Sequence, residues 1–469
     1  MTDLLVGIDI GTTHLKAGVF RANGEPCAVA ERECAPDYLP GGRITVDPQK
    51  WWDGFADAVH ECLANADRSR IRAIGICSQA QTFLRLDRDG RPVSPAVSWL
   101  DNTGDSGGIA GEVPLHDYYA HTGLPVPIPV LASAKLRTLA TDAWADTCSL
   151  VFADGFLMQR LTGRCGVSRN IASMSGLYSM CEHGWWAPAL QAARVSRRVL
   201  PELLDFGQAI GTVRPEIADA LGIPPVPVVA GGNDQTTAAL GAGLTNPGAA
   251  TLGMGTAFVL CQVIDSGTPA ASAFPFRGPY PGGLHWHLVL SNTAGAAMDW
   301  ARKTLGGECA WDEFFAQALH VAPGAADATF DPDPNDGTCT IRAGLGSSRE
   351  GLLRAVLDGT ACTVHRLLDE LDVPGAVRAT GGGSRNDGWI QMLVDATGRE
   401  FERCNQPHAG LWGAALMAGF GVGIFDDLLA AAEAARRGGR IFRPRPELRA
   451  TYDRVYANYR ALRAAELSR

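Results

Sequence analysis

One turn occurs twice in this chain, about half its length apart. Near the start, Val6-Gly7-Ile8-Asp9-Ile10-Gly11-Thr12-Thr13 carries an apolar strand into a Gly-Thr turn. Past the midpoint, Thr251-Leu252-Gly253-Met254-Gly255-Thr256-Ala257 does the same. Glycine lets such a turn reach positive φ and lets a phosphate approach bare backbone N–H groups, and threonine adds a hydroxyl donor. Two hairpins of this kind, one per half, can grip a nucleoside triphosphate from both sides of a cleft. The pattern predicts a two-lobed phosphotransferase.

The surrounding pattern supports two related halves. At 469 residues the chain exceeds the size at which a single core stops growing. Strands are predicted at Leu4 to Gly11, Leu15 to Phe20 and Cys27 to Glu33, then a helix from Trp51 to Asn65 and a strand from Ile71 to Ile76. A meander, a helix and a returning strand open the actin-like, ribonuclease-H-like fold. The second half repeats the series with strands Ala250 to Gly253, Ala257 to Val263 and His285 to Leu290. Helices Ala294 to Leu305 and Glu350 to Leu371, strand Val377 to Thr380 and helix Asp387 to Thr397 follow. The expected class is α/β, two actin-like domains with a nucleotide cleft between them. The boundary is expected at Asn246-Pro247-Gly248, giving domains 1–245 and 246–469.

Bulk properties remove other classes. A net charge of -9 argues against nucleic acid or an anionic membrane as the main partner. The twelve cysteines form no C-x-x-C pair and no cluster at zinc spacing. Met1-Thr2-Asp3 leads directly into a strand, so a cytoplasmic protein with reduced thiols is expected. Two uncharged stretches, Gln235 to Ile264 and Ala409 to Phe425, are too glycine-rich or too short to span a bilayer and read as buried backbone near a ligand.

Few residues carry chemistry. Asp9, between Gly7 and Gly11, suits a water-mediated hold on Mg²⁺, or simply ends a strand. Asp234, in Gly231-Gly232-Asn233-Asp234-Gln235, reads either as a helix N-cap or as a general base at a strand's carboxyl end. Gly381-Gly382-Gly383-Ser384-Arg385-Asn386 lies between a strand and a helix, where bare backbone can lie against a purine or ribose. It is neither a P-loop nor a G-x-G-x-x-G. Gln81, Trp99 and Asp101 offer an amide, an indole and a carboxylate suited to a polyhydroxylated molecule, or are loop polars satisfied by water.

In this order the motifs resemble the FGGY carbohydrate kinases over essentially the full length. The resemblance rests on Gly7 to Thr13 with Lys16, Ile74 to Gln79, Pro92-Val93, Trp99-Leu100-Asp101, Leu161-Thr162-Gly163 and Gly232 to Gln235. It continues through Leu252 to Thr256, Arg354 to Gly359 and Gly381 to Asn386. It implies ATP-dependent phosphorylation of a small sugar, a ketopentose first and a polyol second, with Mg²⁺. Asp234 falls on the family's catalytic aspartate and Asp9 on its magnesium-associated one. Gly11, Thr12, Thr13, Lys16, Gly255, Thr256, Gly382, Gly383 and Asn386 fall on the ATP side. Gln81, Trp99, Asp101, Asp234 and Gln235 fall on the sugar side. The expected partners are that sugar or polyol and a second copy of the chain in a homodimer, with no nucleic acid and no membrane. The sequence departs from the family on the sugar side: Thr103 stands where an arginine is usual, Gln81 replaces a His or Glu, the tryptophan after Lys135-Leu136 is absent, and Ile341 to Gly346 is shortened.

Overall fold

A computed structural model of the chain describes residues 3–267, 274–324, 328–332, 339–406, 408–436 and 438–467. The first apolar runs form the antiparallel meander β1 (Leu4–Ile10), β2 (His14–Arg21) and β3 (Pro26–Glu33). Helix α1 (Pro48–Cys62) starts earlier than the periodicity suggests, because Asp47 caps it and proline suits a first turn. Its buried face runs through Trp51, Phe55, Ala58 and Cys62, with Trp52 and Ala56 at the rim. The chain returns in β4 (Ile71–Ser78), parallel to β1. Strands β5 (Ala209–Thr212) and β6 (Pro227–Asn233) complete a sheet of order β5-β6-β4-β1-β2-β3. Between β4 and β5 lie helices α2 (Ala132–Arg137), α3 (Ala153–Thr162) and α4 (Arg169–Ser173), and α5 (Asp234–Gly241) follows β6 directly.

The second sheet repeats this frame. Strands β7 (Ala250–Met254), β8 (Phe258–Ile264), β9 (Phe276–Pro279), β10 (His285–Ser291), β11 (Val377–Thr380), β12 (Phe401–Arg403) and β13 (Ile441–Phe442) lie in the order β9-β10-β8-β7-β11-β12-β13. Its helices include α6 (Ala294–Thr304), α7 (Arg349–Leu371), α8 (Asp387–Thr397) and α9 (Ala409–Gly421). In each sheet a meander is followed by a strand parallel to its first member, then a further parallel strand and an antiparallel edge. This is the two-domain actin-like architecture. Each sheet has its own apolar core, built around Ile8, Ile76 and Phe156 in the first and Leu252, Leu357 and Trp389 in the second.

A third core joins the halves. The uncharged stretch after Ala409 is a buried helix, α9, that leaves its own sheet and lies on the first one. Only glycine permits this approach. A Cβ on Gly7 or Gly75 would stand 2.0 Å from the carbonyl oxygen of Leu411 or Ala414. Helices α5 and α9 touch as closely, through Gly241 and Gly413. A smaller sheet that includes Phe83–Leu86 and Ala96–Val97 carries the loops around Gln81 and Trp99. Among the described residues no helix is long and apolar enough to cross a membrane.

Candidate active site

Two carboxylates from distant parts of the chain meet where α5 and α9 begin. Asp9 ends β1 opposite Lys16 on β2. Its Oδ1 is buried with no hydrogen-bond partner among the described residues, and its Oδ2 faces the first turn of α9, where a Cβ on Gly410 would stand 3.0 Å away. That helix has no side-chain cap, so its positive end faces the carboxylate. Burial raises the Asp9 pKa, and the charge of Lys16 opposes the shift.

Asp234 is the first residue of α5, and the cap is its neighbour: the Asn233 side chain accepts from the Gln235 N–H at 3.1 Å. Both hydrogen bonds to Asp234, from Asn233 Nδ2 and the Gln235 N–H at 2.8 Å each, fall on Oδ1. Neither falls on Oδ2. Burial first, and the nearby charge of Asp9 second, push the Asp234 carboxyl up to about 7. A carboxyl tuned there can take and return a proton near neutral pH. Among the described residues no group of three or more His, Cys, Asp or Glu gathers at metal-binding distance. One orphaned carboxylate oxygen beside a phosphate hairpin fits Mg²⁺, which keeps several waters and shares the rest of its shell with substrate phosphates.

The hairpins differ in detail. In the first, the Gly11 N–H donates to His14 O at 3.0 Å, and Thr12 Oγ1 accepts from Trp99 Nε1 at 2.8 Å. The indole thus fixes the Thr12 hydroxyl and leaves its proton free to donate. Thr13 Oγ1 lies 3.0 Å from His14 Nδ1, and Lys16 Nζ is 4.0 Å from Glu31. In the second, the Gly255 N–H donates to Ala257 O at 3.3 Å, and both Gly255 and Thr256 are exposed. Gly381 has φ 84° and packs on Met254, as does Gly383, while among the described residues the place a Cβ on Gly382 would take is open. Asn386 Oδ1 caps α8 by accepting from the Trp389 N–H at 2.9 Å. The second hairpin and the glycine run therefore form one continuous cradle of bare backbone.

On the sugar side the structure separates residues that the sequence groups together. Trp99 faces the first hairpin, and Gln235 reaches across to the second sheet, its Oε1 3.5 Å from where a Cβ on Gly253 would stand. Gln81 and Asp101 are engaged by protein partners, most of them distant in sequence. Gln81, at φ 67°, accepts from the Ala132 N–H at 2.8 Å and donates to Met174 O. Asp101 is fully buried and takes the Ile44 and Thr103 N–H groups at 3.0 Å each, the Thr103 hydroxyl at 2.6 Å and Arg43 Nε at 3.2 Å. Thr103 thus supplies two of these bonds, and Arg43 supplies a guanidinium.

Some residues of the site went unassigned in the sequence. Lys135 is buried beneath both loops, donating to Gln81 O at 3.1 Å and Ser98 O at 2.7 Å, and burial pushes its pKa down to about 7. Gln79 donates to Gly11 O at 3.3 Å and keeps a buried, unpartnered Oε1. Gly295 starts α6 against the second hairpin, where a Cβ would stand 2.0 Å from Gly255 O. The available clue was a second repeat: Ala294-Gly295 opens α6 and Ala409-Gly410 opens α9.

Comparison with known proteins identifies the family and the fold. The model of the FGGY family of carbohydrate kinases, N-terminal domain, matches residues 4–241, and that of its C-terminal domain matches residues 254–422. The xylulose kinase of Escherichia coli (strain K12) is 26% identical over 427 residues, covering 85% of this chain and 86% of that one. The glycerol kinase of Rhodospirillum centenum (strain ATCC 51521 / SW) is 28% identical, covering 93% of each. The crystal structure of xylulose kinase from Rhodospirillum rubrum superposes with a TM-score of 0.87 over 98% of each chain at 26% identity. The chain belongs to the FGGY family of carbohydrate kinases, phosphotransferases that use ATP as substrate and a sugar alcohol group as acceptor.

Proposed function

We propose that this kinase phosphorylates a ketopentose such as xylulose, with Asp234 as general base. The observation that carries the reading is the Asp234 carboxyl, held near neutral pKa beside Asp9 with one oxygen free. In this reading the sugar hydroxyl donates to Asp234 Oδ2, and the proton moves there as the hydroxyl oxygen attacks the γ-phosphorus. The bond from γ-phosphorus to the bridging oxygen breaks, and ADP leaves. Gly11, Thr12 and Thr13 face the phosphates from the first half, with Lys16 opposing their charge. Gly255 and Thr256 face them from the second, and Gly382, Gly383 and Asn386 hold adenosine. Asp9 would hold Mg²⁺ through water, and the cation would neutralise charge on the phosphoryl oxygens. Trp99 and Gln235 close the sugar side, with Gln81 and Asp101 behind them. Residues 1–245 then supply sugar and base, and 246–469 the nucleotide cradle. A cytoplasmic location, where ATP is abundant, goes with this reading.

The ketopentose is favoured by the N-terminal motifs and by relatives named xylulose kinase. A polyol is the second reading, favoured by the Asp234-Gln235 pair and the 28% identical glycerol kinase. Purified protein assayed with ATP and Mg²⁺ against ketoses, aldoses and polyols tests both. Xylulose should give the highest kcat/KM. Preference for glycerol or a pentitol would select the second reading, and turnover of none would refute the assignment.

A further inference from the structure

Asn170 lies fully buried on α4, outside every motif that the reaction uses. Its side-chain oxygen accepts from the Asn233 N–H at 2.7 Å and from the Thr236 hydroxyl at 2.9 Å. Its amide nitrogen donates to Pro279 O at 2.9 Å, on strand β9 of the other sheet. Chemistry fixes this orientation. A backbone N–H needs an acceptor and a carbonyl needs a donor, so a flipped amide would lose the Asn233 and Pro279 bonds together. The ladder between β6 and β4 breaks register between Ala230 and Asn233, and Asn170 supplies the acceptor there. The fit is close: a Cβ on Gly232 would stand 3.0 Å from Asn170 Oδ1.

The residues Asn170 holds flank Asp234 on both sides. Asn233 in turn donates to Asp234 Oδ1, so one amide sets both the backbone and the first hydrogen-bond partner of that carboxyl. The opposite end of the same amide rests on the second half. We infer that Asn170 is a positioning residue that aims Asp234 and ties that aim to the seating of strand β9 against α4. The inference rests on the reading of Asp234 as base. A misplacement of about 1 Å in a reacting group can cost about 10²-fold in rate, so one amide in this position has leverage on turnover.

The test is a cycle of variants assayed with ATP, Mg²⁺ and the best sugar from the panel. Asn170→Ala should lower kcat by roughly 10- to 100-fold while the ATP KM stays within about threefold. In an Asp234→Asn background the same change should lower kcat no further, because its effect passes through the absent carboxylate. Thr236→Val, which removes one hydroxyl without changing shape, should lose kcat severalfold and follow the same rule. It carries the test if Asn170→Ala fails to fold. A purely structural Asn170 would lower the melting temperature and leave kcat per folded molecule intact, and that result overturns the inference. So does a loss that persists undiminished beside Asp234→Asn. Turnover surviving Asp234→Asn alone would overturn the base assignment itself, whatever Asn170 does.

Discussion

The two halves share one frame and carry opposite loads. Asp9 stands two residues before the turn glycine Gly11, and Gly253 stands two residues before its counterpart Gly255. Helix α5 opens with Asp234 after β6, whereas α9 opens with Ala409 after β12. Strand β4 runs into Ser78-Gln79, but β11 runs into Gly381-Gly382-Gly383. At each matched position the first half bears a side chain that can do chemistry, and the second bears glycine or alanine. Under the proposed function a duplicated fold divides the labour: one copy would move the proton, and the other would lie flat against the nucleotide.

Buried acids follow the same division. In the second half Asp358 pairs with Arg354 at 3.0 Å, Asp395 with Arg445 at 2.6 Å and Asp331 with Arg463 at 3.1 Å. In the first half Asp101 has Arg43, but among the described residues no arginine or lysine makes ion-pair contact with Asp9, Asp154 or Asp234. Unpaired carboxylates in low-dielectric surroundings weaken a fold, so their concentration in one half fits the proposed placing of the reaction there.

The sharpest way to break the comparison is Asp234→Asn. If the first half supplies the base, turnover should fall by ~10²–10⁴-fold with modest change in sugar affinity. Wild-type kcat should rise with pH through about 7, because only the ionised carboxylate accepts the proton. A flat profile, or turnover within about threefold of wild type in the variant, would leave Asp234 a member of the first helical turn and nothing more.

Asp9→Ala comes next. Loss of one preorganised charge partner of the transferring phosphoryl group should lower kcat by roughly 10²-fold and raise the Mg²⁺ requirement. Its charge also helps to raise the Asp234 pKa, so the acid limb of the residual pH profile should move to lower pH. A magnesium titration and a pH–rate profile read both effects. An unchanged magnesium requirement would remove Asp9 from the phosphate side.

A thermodynamic test of the unpaired acids falls on Asp154, in the first turn of α3. Both its oxygens are buried with no close side-chain or ion-pair partner among the described residues, and burial, opposed by nearby backbone N–H groups, pushes the carboxyl up to about 7. An acid whose pKa is raised in the fold keeps its proton there while the unfolded chain has already lost it. This site's contribution to stability should therefore fall as pH rises from about 4 through 7, at about 1.4 kcal/mol for each unit of pH. Asp154→Asn should melt like wild type near pH 4 and higher than wild type at pH 8. Equal melting temperatures at pH 8 would show that the carboxylate has partners there.

The frame of both halves was legible because strand and helix periodicities are local. Strands Val377–Thr380 and helix Asp387–Thr397 fall where alternation and spacing put them. The hairpin residues were legible because their sequence repeats. What was hidden depends on contacts across the chain. Nothing local to Gly7 announces that Leu411 O will lie against it, and nothing near Asn170 points to Asn233 or Pro279. Likewise Gln81 and Asp101 carry the polar groups a sugar needs, yet only the fold shows those groups turned onto Ala132, Met174, Ile44 and Thr103. Residue type identifies what a side chain can bond, but packing decides what it does bond.

The finest test of the division uses the two crossed helices. The second residue of α5, Gln235, lies over Gly253, and the second residue of α9, Gly410, lies over Asp9. Each contact pairs a side chain with a glycine, in opposite sense. Alanine at either glycine would gain stability from the chain alone: about 0.4–1 kcal/mol from reduced unfolded-state freedom in the strand, and up to about 1 kcal/mol in the helix. What the new Cβ meets should separate them. At Gly253 it stands 3.5 Å from Gln235 Oε1, an ordinary contact, so Gly253→Ala should keep wild-type turnover and melt slightly higher. At Gly410 it stands 3.0 Å from Asp9 Oδ2, so the carboxylate must shift by a few tenths of an ångström. Gly410→Ala should therefore raise the Mg²⁺ needed for half-maximal rate by about threefold, a small share of the loss a full 1 Å misplacement brings. Identical behaviour of the two variants would mean that the matched positions are interchangeable and that the division of labour does not reach this deep into the contact between the halves.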